Sequence, residues 1–337
     1  MQKQRHRALL TRYPIFFFLF SFLFFPIFSC RTAPKTVDNI FIDPALLPLE
    51  PGASAYIIAD VQSIKPFLNI DDKQVQQMID RTQFAAAAMY FPHMAPGVMR
   101  RYQLAASGSY PASGAKMAMG NNKHWQKLHS PVSKNEYWYS AESGLSIAVT
   151  ATTALVSAVY ITADHAVTEN TAINYTEIDP FSAGRTAVPD GFNTFSEGSI
   201  LSCWINDPGP TVDKRLAEAK VPLKFPANQL FISIYPLHKA DDGELMYEAR
   251  LRAEFANAAQ ARTLTVLLAI AHGEMAPHKN ASQTDSAKDH TVGGNFADMA
   301  ALFFANPPVQ DDKYLTIKTN PLSARYLSLL FRSFSLW

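Results

Sequence analysis

Between residues 244 and 255 the chain alternates steadily. Leu245, Tyr247, Ala249, Leu251, Ala253 and Phe255 fall on one side; Glu244, Glu248, Arg250, Arg252 and Glu254, with Met246 among them, fall on the other. A period of two predicts a strand with one buried and one wet face, and so an antiparallel sheet. Shorter apolar runs predict further strands at Ala53–Val61, Arg101–Tyr110, Ser199–Asn206, Gln229–Tyr235 and Tyr314–Thr319. Glu136–Ala141, Leu145–Ala151 and Ala154–Thr162 read as a three-stranded meander, with Glu142-Ser143-Gly144 as its first turn.

Helical spacing alternates with these strands. Asp71–Tyr90 carries Val75, Met78, Ile79, Thr82, Ala86 and Met89 on one stripe, and its Ala85–Ala88 run favours helix. A helix is also expected at Thr211–Lys220, and a short one before Trp125. Asn257 and Gln260 form a capping pair for a helix that buries Leu264, Leu267, Leu268 and Ala271 and closes at Gly273. Ala297–Ala305 and Leu322–Phe334 complete the set. Strand–helix–strand followed by further strands, twice over, predicts an α+β protein of mixed, mostly antiparallel sheets with packed helices, in two pseudo-repeated halves. The halves are expected at 51–162 and 198–337, joined by a turn-rich segment at 163–197. A polar loop is expected at 274–295.

Composition narrows the function classes. The 337 residues are 48% apolar and 18% charged, with a formal net charge of +1. Such a chain builds a core, and it has no electrostatic footprint for nucleic acid. The charge that exists is oddly placed. Lys3, Arg5, Arg7 and Arg12 precede the apolar run Ile15–Phe28, with no acid among them. A basic region followed by a short apolar region is the pattern of a secretory signal peptide. As a helix that run would reach about 21 Å, short of the ~30 Å hydrocarbon core, and Pro26 interrupts it.

Ile27-Phe28-Ser29-Cys30 ends the run. Segment 1–29 with Cys30 resembles the signal peptide and lipobox of bacterial lipoproteins, in the looser form found in spirochaetes. An aliphatic residue stands three places before the cysteine and a small one just before it; Phe28 is bulkier than usual. The resemblance implies cleavage before Cys30, diacylglycerol on its thiol and acylation of the new α-amine, with the lipid bilayer as partner. Two or three acyl chains hold a protein stably to a membrane, whereas one does so only marginally. A secreted protein cut nearby and an uncleaved anchor are the other readings. All three place the body outside the cytoplasm, because the basic residues precede the apolar run. Cleavage would remove four basic residues and no acid, turning the net charge from +1 to about −3. Residues 30–50, with Pro34, Pro44 and Pro48, read as an extended tether.

Candidate chemistry in the body is sparse. Ser113-Gly114-Ala115-Lys116 has the S-x-x-K form of penicillin-binding proteins and serine β-lactamases, with Ser133-Lys134-Asn135 and Lys318-Thr319-Asn320 as imperfect companion elements. An envelope hydrolase using Ser113 and Lys116 is therefore one alternative function. His272, His278 and His290, with neighbouring acids, offer weak metal ligands without paired spacing. Trp125, Tyr137, Trp138 and Tyr139 are the densest aromatic region; cross-strand packing in the meander is the expected use, and stacking on a small ligand is the alternative. Cys203, in the apolar run Ile200–Ile205, reads as an inert thiol. No cofactor fingerprint is present. The reading that results is an acyl-anchored envelope lipoprotein, a non-enzymatic binding or scaffold module for an envelope protein or small ligand.

Overall fold

The computed structural model describes residues 49–50, 52–68, 73–90, 99–161, 179–181, 190–218, 224–239, 245–275, 306–324 and 326–328. These fall into two compact units divided between Glu197 and Gly198.

Unit 1 is built on seven strands: β1 (Ala55–Asp60), β2 (Thr82–Tyr90), β3 (Met99–Gly108), β4 (Gln126–His129), β5 (Glu136–Ser140), β6 (Leu145–Val149) and β7 (Thr153–Ile161). They run in the order β1-β2-β3-β7-β6-β5-β4, each pair antiparallel. Its helices are α1 (Val61–Ile64), α2 (Lys73–Arg81), α3 (Ala112–Gly120) and α4 (Asp190–Ser196). The meander is present, and its first turn places Gly144 at φ 67°, where a side chain would be strained. Both faces of the sheet are buried. Val61, Ala106, Trp138, Ile147 and Val156 pack with Ala115 and Met119 of α3. On the opposite face Tyr56, Ala88, Gln103, Ser157, Ser146 and Tyr139 line up across six strands, all buried.

The expected helix Asp71–Tyr90 is half wrong: helix ends at Arg81 and the alanine run is the strand β2. The reason is local and tertiary at once. The last helical carbonyls are taken by other partners: Met78 O by the Thr82 hydroxyl at 2.9 Å, Ile79 O by the Gln62 amide at 2.9 Å, and Arg81 O by Ser109 N at 2.8 Å. The alanines then bond to strands on both sides. Ala85, Ala86 and Ala88 are nearly inaccessible, so their small size serves close packing on two faces and outweighs a helix preference of a fraction of a kcal/mol per residue.

Unit 2 holds β8 (Leu201–Asn206), β9 (Ala227–Lys239), β10 (Leu245–Phe255), β11 (Val309–Asp311) and β12 (Tyr314–Lys318), ordered β8-β9-β10-β12-β11 and antiparallel throughout. Its helices are α5 (Gly209–Glu218) and α6 (Ala258–Met275). The alternation in β10 holds: Tyr247, Ala249, Ala253 and Phe255 are buried. Ala261 and Leu264 of α6 close the core over Leu230, Phe255 and Leu315. Asn257 caps α6, its Oδ1 accepting from Gln260 N at 3.0 Å. The reciprocal half of the capping box is missing, because Gln260 Oε1 is buried without a partner. Leu267 is 43% exposed rather than buried, and the helix runs past Gly273 to Met275. Residues 324 and 326–328 are helical, whereas the expected helix 297–305 lies outside the described residues.

Candidate functional site

Within unit 1 the residues singled out from sequence stand on separate elements, Ser113 and Lys116 on α3 and Tyr137, Trp138 and Tyr139 on β5. Ser113 and Lys116 sit one turn apart on α3 and both are exposed. Lys116 Nζ lies 3.6 Å from Glu136, a carboxylate also held by Lys127. Lys318 belongs to unit 2, exposed on β12. Thr319 beside it is buried, its hydroxyl accepting from Ala249 N at 3.0 Å.

Tyr137, Trp138 and Tyr139 are 2%, 2% and 8% exposed, so their rings belong to the packing of β5 and not to a surface patch. Trp125 is half-buried against the same core as Trp138. The pleat explains this: with both faces of the sheet covered, neither side of an aromatic strand reaches solvent. His272 lies on α6, while His278, His290 and most of the 274–295 loop lie outside the described residues, as does Cys30. Among the described residues no group of three metal-ligating side chains occurs. Cys203 is half-buried on β8, and burial pushes its thiol up to about 12.

The structure instead assembles polar groups that the sequence did not mark. At one end of unit 1, Glu50 is clasped by four side chains. Its N–H donates to Gln103 Oε1 at 2.8 Å, and its carbonyl accepts from the hydroxyls of Tyr56 at 2.6 Å and Tyr90 at 2.7 Å. Its carboxylate pairs with Arg101, whose guanidinium lies 4.0 Å over the Tyr90 ring. Burial pushes both tyrosine hydroxyls upward, so they stay protonated donors.

Unit 2 repeats the arginine-on-tyrosine stack twice, on the face of β10 that the alternation left polar. Arg250 lies 4.1 Å over Tyr235 and pairs with Glu248. Burial raises the Tyr235 hydroxyl, opposed by its hydrogen bond with Ser233 and the nearby Arg250 charge. Ser233 continues into a buried hydroxyl chain, 2.6 Å to Ser202 and 2.6 Å on to Ser199. Arg252 lies 3.9 Å over Tyr314. Lys313 Nζ approaches the same ring at 5.5 Å and bonds to Glu254 at 2.6 Å.

Among the described residues this face offers donors, acceptors and cation-bearing aromatic ledges. A sequence signal for it existed in the Arg250/Arg252 alternation. The stacking partners stand on other strands, and their register is not readable from spacing.

No protein-family model matches the chain, and no curated protein matches it. Among solved structures the chain is similar to TP0453. Crystal form III of TP0453 aligns with a TM-score of 0.47 at 15% identity, over 87% of this chain and 98% of that chain. Crystal form I aligns with a TM-score of 0.47 at 15% identity, over 88% of this chain and 98% of that chain.

Proposed function

We propose that this chain is an acyl-anchored lipoprotein of a bacterial envelope, whose body works outside the cytoplasm as a non-enzymatic binding or scaffold module. The observation that carries the reading is the N-terminal order: basic residues without acids, the apolar run Ile15–Phe28, then Ser29-Cys30. Among the described residues no helix is long and apolar enough to cross a membrane. Acyl chains at Cys30 would supply an attachment of their own. The candidate nucleophile Ser113 and its lysine are exposed, with Lys116 beside the Glu136 carboxylate rather than poised as a base.

The two halves are read as a loose duplication. Each runs strand–helix–strand–strand–helix and then an outer meander whose last strand returns to pair with the third, β7 on β3 and β12 on β10.

Metabolic labelling with a fatty acid and intact-mass measurement test the anchor. Wild type is expected to start at Cys30, carry the mass of added acyl chains and partition with membranes. Cys30→Ala is expected to carry no label. A wild-type product that begins at Met1 and incorporates no fatty acid overturns the proposal.

A further inference from the structure

Among the described residues three arginines stack on tyrosines, and their charge partners differ. Arg101 has the Glu50 carboxylate and Arg250 has Glu248. The side chain of Arg252 has neither a hydrogen bond nor an ion pair among the described residues, and its Nε is buried without a partner. An arginine brings five donors in a planar fork that matches carboxylate and phosphate oxygens. Stacking on Tyr314 holds that plane still and leaves its edge as the place where an acceptor fits.

The surroundings add to the demand for an anion. On the same face, Arg252 stands directly opposite Thr316 on β12 and Phe231 on β9, and Phe231 stands opposite Trp204 on β8. Lys318, opposite Arg250 and diagonal to Arg252, is exposed and has no carboxylate partner among the described residues. Glu248 and Glu254 are each engaged by another cation, Arg250 and Lys313. Among the described residues two positive charges thus have no carboxylate partner on the face that carries Thr316, beside the buried rings of Phe231 and Trp204. Apolar walls of this kind lower the local dielectric and strengthen a charge-assisted hydrogen bond.

We infer that Arg252, with Lys318 and Thr316 beside it, is a binding site for the oxyanion of an exogenous ligand, a phosphate or carboxylate group. The inference rests on reading the body as a binding module and is independent of acylation at Cys30. The guanidinium fork of Arg252 supplies the donors and sets orientation, Lys318 supplies long-range attraction and Thr316 a further hydroxyl.

The test uses the full chain carrying Cys30→Ala, so that a failure of the lipoprotein reading leaves it intact. The Nε–H resonance of Arg252 and the backbone amide of Thr316 are followed by NMR at constant ionic strength during titration with inorganic phosphate, with acetate, and with phosphatidylglycerol vesicles against phosphatidylcholine vesicles, the amide being the readout for variants that lack the Arg252 guanidinium. A saturable shift at millimolar phosphate or acetate is the expected result for a free ligand. A shift with phosphatidylglycerol vesicles alone assigns the oxyanion to a lipid headgroup. Arg252→Gln is expected to weaken binding roughly tenfold or more, and Lys318→Ala by a few-fold. Arg252→Lys keeps the charge without the fork and guards against a folding failure of the glutamine variant; it too should weaken binding. Arg262→Gln removes one exposed positive charge from α6 and should leave binding within about twofold. An Arg252 resonance unmoved by every probe overturns the inference, and so does an equal loss in Arg262→Gln and Arg252→Gln.

Discussion

The hydroxyl of Tyr90 donates to the backbone carbonyl of Glu50 at 2.7 Å, joining positions 40 residues apart. Tyr56 donates to the same oxygen at 2.6 Å, so one carbonyl has both lone pairs engaged by phenols. Tyr90→Phe and Tyr56→Phe should each cost about 1 kcal/mol. Together they strip both donors from that oxygen, and the double variant should exceed the sum by at least ~0.5 kcal/mol. Urea denaturation of the four chains of the cycle measures this, and strict additivity would contradict a shared acceptor.

Gly108 marks a closer approach. A Cβ placed there would lie 2.0 Å from the Arg81 carbonyl oxygen, which also accepts from Ser109 N. Backbone on both sides leaves no flexible group to give way. Gly108→Ala should lower stability by about 2–3 kcal/mol, read as a lower urea midpoint with an unchanged slope.

Glu136 should shape the acid side of the stability profile. Its hydrogen bond with Lys127, reinforced by the charges of Lys127, Lys116 and His129, holds its carboxyl below the ordinary 4.5. A depressed folded value means that the unfolded chain binds the proton first. The stabilisation is therefore complete above pH 4.5 and fades as pH falls towards the folded value. Glu136→Gln should flatten the decline of the urea midpoint in this acid window; parallel curves for the two proteins would refute the assignment.

Cys203 should be silent in the native protein. Burial pushes its thiol up to about 12, so almost no thiolate exists at pH 8. A small disulfide reagent should modify it at least ~100-fold more slowly in native than in urea-unfolded chain. The same sign applies to Tyr110, which burial lifts to about 12 from 10.0. Its contribution is present below pH 10.0 and is lost as the pH rises towards 12, where Tyr110→Phe should hold its urea midpoint better than wild type.

Some of this was legible in the linear order of residues. The β10 alternation, the meander turn at Gly144 and the Asn257 cap depend on neighbours within a few positions, and their chemistry acts locally. The proposed N-terminal address rests on quantities of the same kind, because charge, apolar length and a cysteine are counted along the chain. The helix stripe through Ala85–Ala88 failed where two flanking strands offered more hydrogen bonds and burial than alanine's own preference could resist. The aromatic run Tyr137-Trp138-Tyr139 fitted either cross-strand packing or a surface for a ligand, and burial on both faces of the sheet selects packing.

What the amino-acid order determined by itself, then, is an α+β body of antiparallel strands, since periodicity and turn chemistry are local quantities. Tertiary structure alone decided which arginine keeps a carboxylate. Arg250 and Arg252 are chemically identical and each has a glutamate two residues away on β10, yet Glu248 stays with Arg250, which stacks on Tyr235, while Lys313 takes Glu254 and leaves Arg252 only Tyr314. That difference arises from side chains brought together across β9, β10 and β12, a pairing set by the summed burial of the whole sheet and by no single stretch of sequence.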